Sequence, residues 1–238
     1  MSDLTILYIT ASEMPDCWLR FQLDRFKAAA QRYPVISVSR QPLHLGTNLL
    51  DDEPKSYWNI YMQMLRSAKM ARTPFVAMAE DDVLYTLEHF RKFRPSTDAV
   101  SYDRSRWSLF AWEPQPIFCL RNRLSNCSLI APRELLIHAL EERAAKWPDG
   151  APNSIVGEVG RESVSHRLGV AHVKCEEWWC REPIVHLNHL TGTDTGDYGH
   201  DAQGRHWTKP HGQIKAIEIP LWGRAADIVK HYHEPSAH

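Results

Sequence analysis

A chain of 238 residues, 43% hydrophobic and 24% charged, is long enough to bury a substantial core and carries no compositional mark of a disordered or fibrous protein. Its formal charge of -1 excludes the global basic footprint that proteins gripping a nucleic-acid backbone or an acidic membrane surface present. The opening MSDLTILYIT places an acid where a secretory leader carries positive charge, and its apolar run is too short to span a bilayer, so a cytoplasmic location is expected.

In chain order, the β-branched run LTILYIT at 4–10 predicts a buried strand. Trp18, Phe21, Phe26 and Ala29 then recur at helical spacing from Cys17 to about Gln31, and PVISVSR reads as a second strand opened by Pro34. The PLHLGTN segment reads as a loop. A second helix follows, with Tyr57, Trp58, Tyr61, Met64, Leu65 and Ala68 on one stripe. PFVAMA at 74–79 predicts a third strand that ends on Glu80, Asp81 and Asp82, before a short helix beginning near Thr86. AVSY, IFCL and NCSLIA predict further strands, and PRELLIHALEERAAKW a helix between Pro132 and Pro148. Residues 148–160 and the Gly/Asp/His-rich stretch 191–212 read as long loops, a length often associated with functional lids.

The cysteines Cys17, Cys119, Cys127, Cys175 and Cys180 are odd in number and form no closely spaced pair, which predicts free thiols. Nine of the 13 histidines follow Val170: His172, His186, His189, His200, His206, His211, His231, His233 and His238. The C-terminal third therefore carries most of the imidazole ligands available to the chain.

The acidic triplet is the main functional signal. In open α/β sheets, ligands bind beyond the carboxyl ends of the strands. Strand alternation puts Glu80 and Asp82 on one face and turns Asp81 away, unless the chain has already left the strand there, so two carboxylates can meet one cation. Hard divalent ions bind through one or two carboxylates together with substrate phosphate oxygens. The structural alternative is that these acids cap the following helix, for which one would suffice.

The stretches YIT, PVISVSRQP and WNIYMQMLRSAKMARTPFVAMAEDDVLY resemble small bacterial and phage-encoded GT-A glycosyltransferases, over about the first half of the chain. The resemblance implies an α/β fold: a GT-A, Rossmann-like mixed sheet flanked by helices. It implies a single catalytic domain over 1–238, with a nucleotide-sugar-binding half at 1–95 and an acceptor-binding half at 96–238. In such enzymes a D-x-D-type motif at a strand end holds Mn²⁺ or Mg²⁺ and the nucleotide; E-D-D stands in its place here. By position, Asp82 is then the main metal ligand, with Glu80 and Asp81 serving the ion, its water or the ribose. Thr10 and Glu13 would lie against base or ribose, and Arg40 with the 45–48 loop within reach of the nucleotide or its phosphates.

The same resemblance points to Glu158 or Glu162 as the base for the acceptor hydroxyl, although the adjacent acid pair usual at that place is absent. It also points to His186 or His189 as a closing metal or diphosphate contact. Three apart, these histidines face opposite sides of a strand but converge in a turn. For each residue a structural role stands beside the functional one: helix-start acids for the glutamates, hydrogen-bonded histidines for the pair. Arg104, Arg106, Trp107, Trp112, Arg121 and Arg123 offer cations and flat faces for an acceptor, while the tryptophans, Trp178 and Trp179 included, read mainly as core. The implied donor is a UDP-sugar, and the acceptor a glycan, a protein or a hydroxymethylated base in phage DNA, with the host cytoplasm as location if phage-encoded. The rivals are a metal-dependent phosphoester hydrolase and a nucleotide- or glycan-binding module without turnover.

Overall fold

A computed structural model of the chain describes residues 2–189 and 214–233. The 191–212 loop and His200, His206, His211 and His238 lie outside the described residues.

The N-terminal half alternates strand and helix. Leu4–Ile9 forms β1, Asp16–Ala30 α1, Val35–Ser39 β2, Thr47–Leu50 β3, Tyr57–Met70 α2 and Phe75–Glu80 β4. Ser56 caps α2, its hydroxyl accepting from the Asn59 amide at 3.0 Å. Beyond β4 come β5 (Val83–Leu84), α3 (Leu87–Lys92), β6 (Ala99–Asp103), β7 (Trp107–Phe110), β8 (Phe118–Leu120) and a 3-10 turn at Asn126–Ser128. Next are β9 (Leu129–Pro132), α4 (Arg133–Lys146), α5 (Glu162–Leu168), β10 (Lys174–Trp178) and β11 (Val185–Asn188). The last described elements are β12 (Lys215–Ala216), β13 (Glu218–Ile219), β14 (Gly223–Arg224) and α6 (Ala225–His233).

The main sheet has seven strands in the order β10-β6-β9-β4-β1-β2-β3. All neighbours are parallel except β9, which runs antiparallel to both β4 and β6. This is the Rossmann-like mixed sheet flanked by helices that a GT-A fold calls for. A second sheet, β12-β8-β7-β11-β5, and a small β13-β14 pair complete the strands described.

Helices on both faces explain why β1 is apolar throughout rather than alternating. Leu7 and Ile9 pack with Met64, Ala68, Leu136 and Leu140 of α2 and α4. Leu4, Ile6 and Tyr8 pack with Phe26, Ala29 and Phe90 of α1 and α3. Truncating one of these fully buried aliphatic side chains to alanine costs about 2–5 kcal/mol. A third cluster, including Trp18, Leu84, Leu109, Phe118, Val185, Leu187 and Ile228, ties α1 and α6 to the second sheet.

The part of the PLHLGTN segment read as loop that begins at Thr47 departs from expectation, because residues 47–50 pair with β2 in parallel, Ile36 opposite Thr47. Asn48 holds this edge strand through its side chain, Nδ2 donating to Ser37 Oγ at 3.0 Å and Ser39 Oγ at 2.8 Å. Polar residues do there what apolar alternation usually does. All five cysteines are free thiols. No described helix is long and apolar enough to cross a membrane.

Candidate active site

The site lies where β4 ends and the chain doubles back into β5. Gln22, on the apolar face of α1, fixes that reversal. Its Nε2 donates to Val83 O at 2.8 Å and Glu80 O at 3.3 Å, and its Oε1 accepts from Tyr8 OH at 2.8 Å. Trp18 Nε1 donates to Asp81 O at 2.8 Å. The Glu80 amide donates to Tyr85 OH at 3.0 Å, and that hydroxyl donates on to Cys127 O at 2.9 Å. The turn is thus held by buried polar groups on three sides.

The three acids diverge through the turn, since β4 ends at Glu80 and Asp81 and Asp82 have already left the strand. Asp81 turns toward β1 and accepts from Thr10 Oγ1, while the Ser12 amide donates back to that hydroxyl at 2.8 Å. Glu80 and Asp82 face β11. There His186 is paired opposite Val83, and the Leu187 amide donates to Asp82 O at 2.8 Å. One ligand atom from each of Glu80, Asp82 and His186 lies within 4.8 Å of the others. His186 Nε2 is 2.9 Å from Asp82 Oδ2, and His189 Nε2 is 3.7 Å from the same oxygen. Both histidines converge because β11 ends at Asn188, so His189 has already left the strand.

The tautomer of His186 follows from its partners. Arg106 has only donors to offer, and its Nη1 is 3.0 Å from His186 Nδ1. Nδ1 therefore accepts, and Nε2 carries the proton donated to Asp82. Burial lowers the pKa of His186 against the opposing pull of Asp82, keeping the ring neutral. Burial and then the charges of Asp82 and Asp81 raise Glu80 well above the usual carboxylate range. Asp81 is pushed up to about 7 by burial and by Asp82. For Asp82 burial also pushes upward, but the histidines outweigh it and hold the carboxyl below its ordinary value.

Helix capping does not account for the acids. Thr86 caps α3, accepting from the His89 amide at 3.2 Å. Asp82 Oδ1 is buried without a hydrogen-bond partner, an expensive arrangement for a carboxylate oxygen. Two carboxylates and an imidazole form a donor set that suits a divalent cation of the Mg²⁺/Mn²⁺ type, and the orphaned oxygen fits such an ion.

Glu158 is positioned from behind. Arg143, almost fully buried, donates from Nη1 to Gly157 O at 2.8 Å, and Tyr102 OH donates to Val159 O at 2.7 Å. Gly160 has φ +83, and a Cβ there would come within 2.7 Å of Val100 Cγ2, so this close crossing requires glycine. The Glu158 carboxylate pairs with Arg161 at 3.1 Å, and its charge is felt at Glu80. Glu162 is exposed in the first turn of α5. Glu13 pairs with Lys55. Arg40 donates from Nη1 to Glu53 O at 2.9 Å, and its amide donates to Ser12 Oγ at 3.2 Å, joining the loops after β1 and β2. Of the two tryptophans read as core, Trp178 is buried and Trp179 exposed.

Trp18, Gln22 and Tyr85 support the turn without having been singled out for it by the sequence. Gln22 had a legible signal: a polar residue four after Trp18 and four before Phe26 lies on the buried face of the helix. Arg106 stood out only as a cation for an acceptor, not as the partner of His186.

No known family profile and no curated protein matches the chain. Among solved structures it is similar to a nucleotidyl transferase from Methanothermobacter thermautotroptrophicus, at 12% identity and TM-score 0.39 over 76% of this chain and 89% of that one. It is similar to a glycosyltransferase of Streptococcus pneumoniae, at 9% identity and TM-score 0.45 over 74% of this chain and 45% of that one. It is also similar to a mannosyltransferase from Pyrobaculum calidifontis in complex with GDP-Man and Mn²⁺, at 13% identity and TM-score 0.44 over 82% of this chain and 58% of that one.

Proposed function

We propose that the chain is a metal-dependent glycosyltransferase that moves a sugar from a UDP-sugar to an acceptor hydroxyl, within one catalytic domain over 1–238. The observation that carries this reading is the convergence of Glu80, Asp82 and His186 at the carboxyl end of β4, with Asp82 Oδ1 left unpartnered. A nucleotide diphosphate placed beyond the ends of β1 and β2 would meet Thr10, Glu13 and Arg40 on one side and the acids on the other.

Glu80, Asp82 and His186 would hold the cation, with His189 as a further contact to Asp82. Bound there, Mn²⁺ or Mg²⁺ supplies Lewis-acid neutralisation of the charge that builds on the departing diphosphate. His186 as it stands carries its proton on Nε2, so ligation through that nitrogen would require the neutral tautomer with the proton on Nδ1. Glu80 would serve the ion as a carboxylate, giving up the proton its raised pKa retains. Arg106 donates to Nδ1 in the metal-free ring, a contact that would have to open for Nε2 to ligate, because a protonated Nδ1 cannot accept from a guanidinium. Asp81, fixed by Thr10, serves ribose or metal-bound water. Glu158 is the base we assign to the acceptor hydroxyl, since its backbone is clamped at Gly157 and Val159 and its charge reaches Glu80. The exposed position of Glu162 supports that choice between the two glutamates. The acceptor is a glycan, a protein or a hydroxymethylated base.

Calorimetric titration with UDP and UDP-sugars, with and without Mn²⁺, tests the reading against Asp82→Ala. The expected result is Mn²⁺-dependent nucleotide binding that the variant loses. Absence of nucleotide binding under every metal condition would overturn it, and phosphoesterase activity dependent on His186 would put a hydrolase in its place.

A further inference from the structure

His186 has a neighbour whose hydroxyl is unused. The parallel register of β7 and β11 sets Ser108 opposite His186, between the pairs Trp107–Val185 and Leu109–Leu187. Those four flanking residues all pack in the third core cluster, so alternation turns Ser108 and His186 together to the opposite face, on strands about 4.8 Å apart. Ser108 is 1% exposed, and its Oγ is buried without a hydrogen-bond partner among the described residues. On its other side stands Cys119 of β8, whose thiol is a weak donor and a weak acceptor. An unsatisfied buried hydroxyl is costly and calls for an explanation.

The metal-free ring gives that hydroxyl nothing to do, because both of its nitrogens are engaged: Nδ1 accepts from Arg106 and Nε2 donates to Asp82. With Nε2 on a cation, the neutral ring carries its proton on Nδ1, and that N–H needs an acceptor. Arg106 cannot supply one, since a guanidinium only donates, whereas a hydroxyl accepts as well as donates. Ligating imidazoles are commonly fixed by such a bond at the nitrogen that faces away from the metal.

We propose that Ser108 is a positioning residue for the cation site: when His186 presents Nε2 to the ion, Ser108 Oγ accepts from Nδ1–H. The proton that leaves Nε2 is matched by one taken up at Nδ1, so the ring stays neutral, and the serine answers by rotating about χ1 between staggered wells. The hydroxyl unused in the metal-free protein is a contact kept for the metal-bound one. This inference rests on the reading of Glu80, Asp82 and His186 as a cation site, and not on the sugar or the acceptor.

The test is Mn²⁺ titration of the native protein, Ser108→Ala and Ser108→Thr, read by the paramagnetic resonance of the free ion, beside calorimetric melting without metal. Ser108→Ala should weaken Mn²⁺ binding about tenfold, while its metal-free melting temperature holds or rises, because the variant removes an unsatisfied buried group. Ser108→Thr keeps the hydroxyl and should bind Mn²⁺ as the native protein does. With Mg²⁺ as a diamagnetic ion, nitrogen-15 spectra should place the His186 proton on Nδ1, the signal being assigned by its loss in His186→Gln. Native Mn²⁺ affinity in Ser108→Ala would overturn the role of Ser108 and leave the cation site standing. Failure of Ser108→Ala to fold would make the serine structural and overturn the role as well. A His186 proton that stays on Nε2 with the ion bound would overturn it by taking His186 out of the ligand set. Absence of Mn²⁺ uptake by the native protein is a separate result that removes the cation site, and the role of Ser108 with it.

Discussion

Among the described residues, two His–Asp pairs of the same length stand in different surroundings. His89 Nδ1 and Asp103 Oδ2 are 2.9 Å apart with neither side chain exposed, while His186 Nε2 and Asp82 Oδ2 are 2.9 Å apart with 15% and 14% exposed. Each has a third ligand-type side chain beside it, Cys180 in the first case and Glu80 in the second. The second carboxylate oxygen separates them. Asp103 Oδ1 accepts from the Ser105 amide at 2.8 Å and its hydroxyl at 2.5 Å, whereas Asp82 Oδ1 has no partner. His89 is also enclosed by rings, stacked on Trp178 at 5.4 Å, with its Nε2 buried among them and without a hydrogen-bond partner. A saturated carboxylate in a closed shell is a structural element; the same pair with an open oxygen at a strand end is a place for a ligand. Distance alone would not have distinguished them.

The sharpest break between the pairs is in stability. Asp103→Ala strands a buried histidine and should cost about 3–5 kcal/mol, roughly 6–20 °C in melting temperature for a chain of this size. Calorimetric melting checks this, and the folded fraction should bind Mn²⁺ as before. Asp82→Ala should instead abolish the stabilisation by cation. At about a hundredfold excess over Kd that stabilisation is about 2.7 kcal/mol, or roughly 5–10 °C, in the native protein. Melting curves with and without Mn²⁺ read both values.

The pH dependence of the two regions should be opposite in sign. Asp103 is held below its ordinary value because its bonds to His89 and Ser105 outweigh burial, so its contribution is present above the unfolded value and lost as pH falls. Asp81 is raised to about 7 from 3.8, so the folded metal-free protein keeps a proton that the unfolded chain releases. Its contribution is complete below pH 3.8 and is lost as pH rises through about 7. Asp81→Asn should flatten the upper part of that profile, as read by denaturant titration across pH. Cation affinity should rise over the same range, since the ion displaces protons. The smallest expected effect is that of Tyr102→Phe, which removes the donor to Val159 O. It should cost about 1 kcal/mol and lower turnover more than UDP binding, because it loosens Glu158 rather than the acids.

How much of this was legible in the sequence differs along the chain. β1, α1, β2, α2 and β4 could be read because buried parallel strands are continuous apolar runs and the helices present one apolar stripe. Strand alternation put Glu80 and Asp82 on one face, but β4 ends at Glu80 and it is the turn at 81–82 that brings the two together. β3 was hidden because Asn48 replaces apolar alternation with side-chain hydrogen bonds. β5, β12, β13 and β14, two residues each, are too short to carry a period and exist only through their pairing. The convergence of His186 and His189 required knowing where β11 ends, and the bond from Arg106 to His186 joins residues 80 apart, which no local pattern encodes.

The claim on which the rest depends is that Glu80, Asp82 and His186 bind a divalent cation, and Mn²⁺ itself reports on it. Titration followed by the paramagnetic resonance signal of free Mn²⁺ should show loss of that signal with one ion taken up per chain, more tightly when UDP is present. The signal should stay that of free Mn²⁺ in Asp82→Ala. Equal uptake by the native protein and the variant, or none by either, would contradict the account.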